Sequence, residues 1–130
     1  MNYRKALTIP ANTPASSPVA AGLSLPEGVI RLIRIYFPAG CCGLAHIRIM
    51  VTETQQWPSN LGEWFAGEDS EIEFEEAYRL TEAWNWVEIE GYNEDDTHDH
   101  TVTVQFAVEA AAAVGEYPRL GQFLDALRGY

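Results

Sequence analysis

The sequence is short of basic residues. Eight Lys and Arg stand against nineteen Asp and Glu, which gives a formal net charge of −11 over 130 residues. Proteins that bind nucleic acid or an anionic membrane surface place clustered Lys and Arg against phosphate groups. This composition therefore predicts neither nucleic acid nor a membrane surface as a partner.

Cysteine and long apolar segments are also scarce. The two cysteines, Cys41 and Cys42, are adjacent, and such a pair does not make a disulfide framework. No segment approaches the ~18 consecutive apolar residues of a membrane span. The first residues lack the apolar run of a secretory signal. These absences favour assembly in a reducing, intracellular compartment.

The remaining composition predicts one folded domain. Hydrophobic residues make up 47% and aromatic residues 12% of the chain, and disordered chains are poor in both. A chain of this length has room for a single core.

Alternation of apolar and polar residues predicts antiparallel strands. In segment 85–90, Val87 and Ile89 alternate with Glu88 and Glu90, and segment 101–109 alternates in the same way. We expect these two segments to form a hairpin joined by the polar loop 91–99. Further strand candidates are 3–9, 29–37, 44–52 and 71–75. The pattern predicts an all-β fold, an antiparallel β-sandwich or jelly roll of about six to eight strands that occupies residues 1–110.

The same alternation predicts the core. The apolar residues that recur at every second position are Ile33, Ile35, Ile47, Ile49, Val87, Ile89, Val102, Val104 and Phe106.

Two segments do not fit the strand pattern. Residues 10–27 carry four prolines, which favours an extended surface arm over a central strand. The tail, 111–130, begins with an alanine bridge and predicts a short amphipathic helix of about three turns. The tail packs either on its own domain or on a neighbouring subunit, and the reach of the bridge favours the neighbour. Its predicted partner-binding stripe is Leu120, Phe123, Leu124 and Leu127.

The charges are divided between the two halves of the chain. Up to Thr52 there are five basic residues and a single acid, Glu27, whereas Glu53 to Glu109 includes sixteen acids and one base, Arg79. A charge dipole of this kind suits self-association or docking on a basic neighbour. A solvated acidic face that maintains solubility is the simpler interpretation.

The histidines and acids of the loop raise the question of a metal. His98 and His100 alternate, as the HxH of a cupin site does, but the downstream acid and second histidine motif of that site are missing. Asn93, Asp95 and Asp99 recur at odd positions with Thr97, which is reminiscent of a calcium loop. The helix-loop-helix calcium signature nevertheless fails in its glycine and its final glutamate. We therefore predict no metal or cofactor, and a polar hairpin loop in their place.

Trp84 and Trp86 share the predicted solvent face with Glu88 and Glu90. Exposed tryptophans on a sheet stack on sugar rings or pack against a protein partner. Alternatively, they lie at the strand entrance beneath the loop that holds Trp57 and Trp64. We take Trp84 and Trp86 as candidate partner-binding residues. No catalytic constellation stands out, so the chain is not expected to be an enzyme.

Three stretches carry a resemblance: IPANTPASSP, VIRLIRIYFPAGCCGLAHIRI and WNWVEIEGYNEDDTHDHTVTVQFAV. Together they resemble small β-sandwich virion accessory proteins of tailed bacteriophages, of the capsid decoration or cement type. The resemblance implies a non-enzymatic protein that is made in the host cytoplasm and lies on the virion surface. It also implies a homo-oligomer, with a trimer favoured, that contacts the capsid protein. The alternatives are a carbohydrate-binding or adhesin β-sandwich that uses its exposed tryptophans, and a cupin-like metal-binding protein.

Overall fold

The computed structural model describes residues 1–110, and these form seven β-strands with antiparallel pairing throughout. No helix long and apolar enough to span a membrane occurs among these residues. The strands are β1 (Asn2–Ile9), β2 (Val19–Phe37), β3 (Ala45–Val51), β4 (Thr54–Trp57), β5 (Phe65–Ala66), β6 (Ser70–Asn93) and β7 (His100–Ala110). The all-β prediction is confirmed.

Two long strands, β2 and β6, organise the sheet. The strand order is β1-β7-β2-β6-β3-β4, and β5 pairs with β3. The first part of β2 pairs with the end of β6, and its second part pairs with the beginning of β6, with a bulge between Pro26 and Gly28. Strands β7 and β1 extend the sheet from the second part of β2, whereas β3 and β4 extend it from the end of β6. The sheet therefore has two halves, and β2 and β6 run through both.

Residues from distant strands of the sheet meet in one core. A Cβ atom added to Gly91 of β6 would lie 2.6 Å from Cδ1 of Ile9 and 3.0 Å from Cδ2 of Leu7, both in β1 at the far end of the strand order. An isolated bridge between Thr13 and Asn93 joins the same two regions. Gly91 is thus required at this point for the close approach of β6 and β1.

The core consists of side chains that alternate along the strands. All nine residues that the sequence predicts for the core are fully buried, which confirms both the strand parities and the faces. Leu25, Ile30, Phe37 and Leu80 are also buried, and Trp57 packs edge-on against Tyr78 at the margin.

The predicted hairpin is wrong in its pairing. Both strands exist, but β2 lies between β6 and β7, so the loop 94–99 crosses from one half of the sheet to the other. Alternation reports which face of a strand is apolar and does not report which strand lies beside it. The predicted strand 71–75 is likewise only the beginning of the much longer β6.

The extended arm predicted for residues 10–27 is also revised. Residues 10–18 form turns, but Val19 to Glu27 belong to β2 and pair with β6. Pro26 is tolerated because it lies beside a bulge, where the ladder of hydrogen bonds is already interrupted. The predicted C-terminal helix lies outside the described residues.

Candidate functional site

Trp84 and Trp86 project from the outer face of β6. Their exposed fractions are 69% and 48%, whereas the intervening Asn85 is buried. The two side chains lie two residues apart on the same face of the strand, where successive positions on one face are roughly 6–7 Å apart. Large exposed aromatic surface of this kind is typical of a binding site. The alternative placement beneath the 57–64 loop is wrong, because both tryptophans are exposed among residues 1–110.

The indole of Trp86 lies flat against the neighbouring strand. A Cβ atom added to Gly22 of β2 would come within 2.2 Å of Cζ2 of this ring and within 2.8 Å of Cε2. The indole nitrogen donates a hydrogen bond to Glu88 at 3.4 Å. Gly22 therefore provides the space that orients the ring, and only a glycine provides it at this point.

Pro26 and Ser24, the cross-strand neighbours of Trp84 and Trp86, complete this surface. We call the surface formed by Gly22, Ser24, Pro26, Trp84 and Trp86 the tryptophan face. Exposed or partly exposed carboxylates border it: Glu27 follows Pro26, Glu82 precedes Trp84 by two residues, and Glu88 follows Trp86 by two. The face is apolar at its centre and negatively charged around its border.

A second cluster continues the same side of the sheet. The guanidinium of Arg48 in β3 donates two hydrogen bonds to Glu90 in β6, at 3.0 and 2.7 Å, and lies 4.3 Å from the ring centroid of Trp64. Trp64 meets Tyr92 edge-on, and Tyr92 stacks on His46 at 4.3 Å between ring centroids. These contacts fix the loop before β5 against the sheet, so this cluster has a structural role.

The two loop histidines do not converge. His98 is exposed, whereas His100 is buried and lies 2.9 Å from Oδ2 of Asp95. The other oxygen of Asp95 accepts hydrogen bonds from the amides of Thr97 and His98. The Thr97 amide and the His100 side chain lower the pKa of Asp95 from 3.8 to about 2.

Two of the residues suggested as calcium ligands, Asn93 and Asp95, already accept hydrogen bonds within the loop. Oδ1 of Asn93 accepts a hydrogen bond from the amide of Asp95, and Asp95 is bonded through both oxygens. Residues 1–110 contain no group of three His, Cys, Asp or Glu side chains placed to hold a metal ion. The loop is held by its own hydrogen bonds and by those that Ala11 and Asn12 donate to it.

Both cysteines are free thiols. Cys41 is buried, and burial raises the pKa of its thiol, an effect to which the carboxylate of Glu68 adds. That carboxylate accepts hydrogen bonds from the amides of Cys42 and Gly40, which lower the pKa of Glu68 and stabilise the turn after β2. A buried thiol with a raised pKa is a poor nucleophile.

The sequence pattern does not predict the buried structural role of Asn85 and Asn93, and it suggests Asn93 only as a candidate calcium ligand. Asn85 and Asn93 are buried, and both side chains bond backbone groups of neighbouring segments. A signal was available, because both share the inward parity of Val87 and Ile89. A polar residue at an inward position must be hydrogen-bonded, and asparagine does this with neutral groups.

The tail residues Leu120, Phe123, Leu124 and Leu127 lie outside the described residues, so the tryptophan face is the part of the predicted site that the structure places. No protein-family model matches the sequence, and no curated protein is significantly similar to it.

Proposed function

We propose that this protein is a non-enzymatic structural protein of a bacteriophage virion, a capsid decoration protein that oligomerises and binds the head surface. The observation that carries the proposal is the tryptophan face. Two indoles on one side of a rigid sheet offer a large apolar contact at low cost in side-chain entropy.

The architecture supports a binding module. The folded sheet fits a β-sandwich or jelly roll in which β2 and β6 contribute to both layers, the class that the resemblance implies. Such a frame holds Trp84 and Trp86 on one strand, with Gly22 beneath one ring. Preorganised aromatic side chains bind a partner without a large ordering cost.

The charge supports a protein partner with basic residues. The border of the tryptophan face includes Glu27, Glu82 and Glu88, and the whole chain carries a net charge of −11. Charge complementarity at the rim of an interface directs orientation and speeds association. We propose the capsid protein and further copies of this chain, with a trimer favoured, as partners on the virion surface.

A head-binding assay tests the proposal. The full-length protein is mixed with heads of the encoding phage that lack it, and the bound fraction is measured by co-sedimentation. Native mass spectrometry of the free protein gives its oligomeric state.

We expect the double variant Trp84→Ser/Trp86→Ser to lose at least about 30-fold in affinity, because a single hot-spot aromatic residue contributes ~2 kcal/mol or more and 1.4 kcal/mol is tenfold. Tyr36→Ser is the matched control, since Tyr36 is an exposed aromatic residue on β2 outside the tryptophan face. Unchanged binding of the double variant would reject the tryptophan face as the contact surface.

Carbohydrate binding is the second candidate. Two exposed indoles beside carboxylates can stack on sugar rings while the acids accept hydrogen bonds from hydroxyl groups. A glycan array with the same variants separates the two functions, because a glycan signal that depends on Trp84 and Trp86 would favour an adhesin.

A further inference from the structure

The chain leaves the described structure close to the tryptophan face. Ala110, the last residue of β7, pairs with Gly28 of β2. Gly28 lies two residues from Pro26, which pairs with Trp84. With strands ~4.8 Å apart and ~3.3 Å per residue, the Cα atoms of Ala110 and Trp84 are roughly 12 Å apart along the sheet.

The segment that follows is long enough to cover this distance. Residues 111–115 are small and uncharged, with the sequence AAAVG. Five extended residues span up to ~16 Å. Residues from Glu116 onwards can therefore lie over Trp84 of the same molecule.

The remaining segment complements the tryptophan face in chemistry. Its apolar stripe includes four large side chains, and Arg119 and Arg128 supply two of the eight basic residues of the chain. The face has an apolar centre and a border that includes Glu27, Glu82 and Glu88. The segment also holds Glu116 and Asp125, so it carries no net positive charge. The match therefore rests on the apolar stripe and the apolar centre, with the two arginines available to pair with carboxylates of the border.

We propose that residues 116–130 cover the tryptophan face of their own subunit. The short bridge keeps this segment at a high effective concentration near its target, on the order of millimolar for short linkers, so a weak contact is sufficient. The sequence alone favours a neighbouring subunit, but Ala110, from which the tail continues, lies near the tryptophan face of its own sheet. The tail then competes with any external partner for this face. This competition rests on the proposed function, whereas the tail contact itself does not.

Fluorine NMR of the full-length protein labelled with 5-fluorotryptophan tests the proposal. The chain has four tryptophans and none beyond Trp86, so the spectrum has four signals, which single Trp→Phe variants assign. The tail variant is Leu120→Ser/Phe123→Ser/Leu124→Ser/Leu127→Ser. Gln122→Ser/Ala126→Ser is the control. We expect the signals of Trp84 and Trp86 to shift and to gain solvent-isotope sensitivity in the tail variant alone. The signals of Trp57 and Trp64 stay in place.

Two results would overturn the proposal. In one, the signals of Trp84 and Trp86 are the same in the parent protein and the tail variant. In the other, dilution to the monomer exposes both indoles in the parent, which assigns the contact to the tail of a second copy. The NMR measurement uses no phage head, so a failure of head binding would not affect the proposed tail contact. Conversely, a failure of the tail contact would not affect the proposed head binding, which co-sedimentation tests separately.

Discussion

Replacing Asn93 with alanine should destabilise the whole fold, although the residue lies at the end of a strand next to a polar loop. Its side-chain amide donates to the carbonyls of Ile9 and His98 at 3.1 and 2.9 Å, and its oxygen accepts from the amide of Asp95 at 2.9 Å. The side chain is 1% exposed. One residue thus joins β1, the loop 94–99 and the approach to β7.

The magnitude follows from these three contacts. A neutral hydrogen bond contributes about 0.5–1.5 kcal/mol net, and a buried group left without a partner costs about 1–3 kcal/mol. Alanine at position 93 removes three bonds and leaves the buried carbonyl of Ile9 without this donor. We expect a loss of about 3 kcal/mol, a large part of the ~5–15 kcal/mol that stabilises a typical domain.

Urea denaturation followed by circular dichroism measures this loss, with Asn60→Ala as the matched control because Asn60 is exposed. An unchanged m-value with a lower urea midpoint would show that the substitution reduces the stability of the folded state. If the free energy of unfolding of Asn93→Ala were within about 0.5 kcal/mol of the parent value, the three hydrogen bonds of Asn93 would not stabilise the fold. Water would then replace these bonds without a net loss of stability.

Two further predictions concern the core and the loop. Phe106→Ala should lower the free energy of unfolding by about 3–5 kcal/mol, because Phe106 is fully buried; Gln105→Ala should cost far less, and the reverse order of the two would show that β7 is misregistered by one residue. Asp95 has a pKa lowered to about 2, so its contribution to stability is present above its ordinary value of 3.8 and is lost as pH falls towards 2. Thermal melts between pH 2 and 7 should therefore show a smaller acid-induced drop for Asp95→Asn than for the parent, and equal drops would contradict the loop geometry.

The faces of the strands could be predicted from the sequence, because burial imposes a period of two on every strand. Val87, Ile89 and Phe106 are apolar for the same local reason, and all are buried. The partners of the strands could not be predicted in this way. The insertion of β2 between β6 and β7 depends on contacts among segments distant in sequence, and alternation carries no information about them.

The candidate site shows the same division. Exposure of Trp84 and Trp86 follows from their parity with Glu88. The packing of the Trp86 ring on Gly22 could not be predicted, because it depends on the register between β2 and β6. Proline density misled the interpretation of residues 19–27, since Pro26 lies at a bulge that the sequence does not reveal.

The position of β1 has a consequence for synthesis on the ribosome. Its ladder partner is β7, which pairs with it from Asn2↔Ala107 to Ile9↔His100. At ~5–20 residues per second, the first strand therefore waits on the order of 5–20 s before its partner emerges. During that interval Leu7 and Ile9 lack this partner strand. The neighbouring Arg4 and Lys5 carry charges of the kind that disfavours pairing of an exposed strand with other chains.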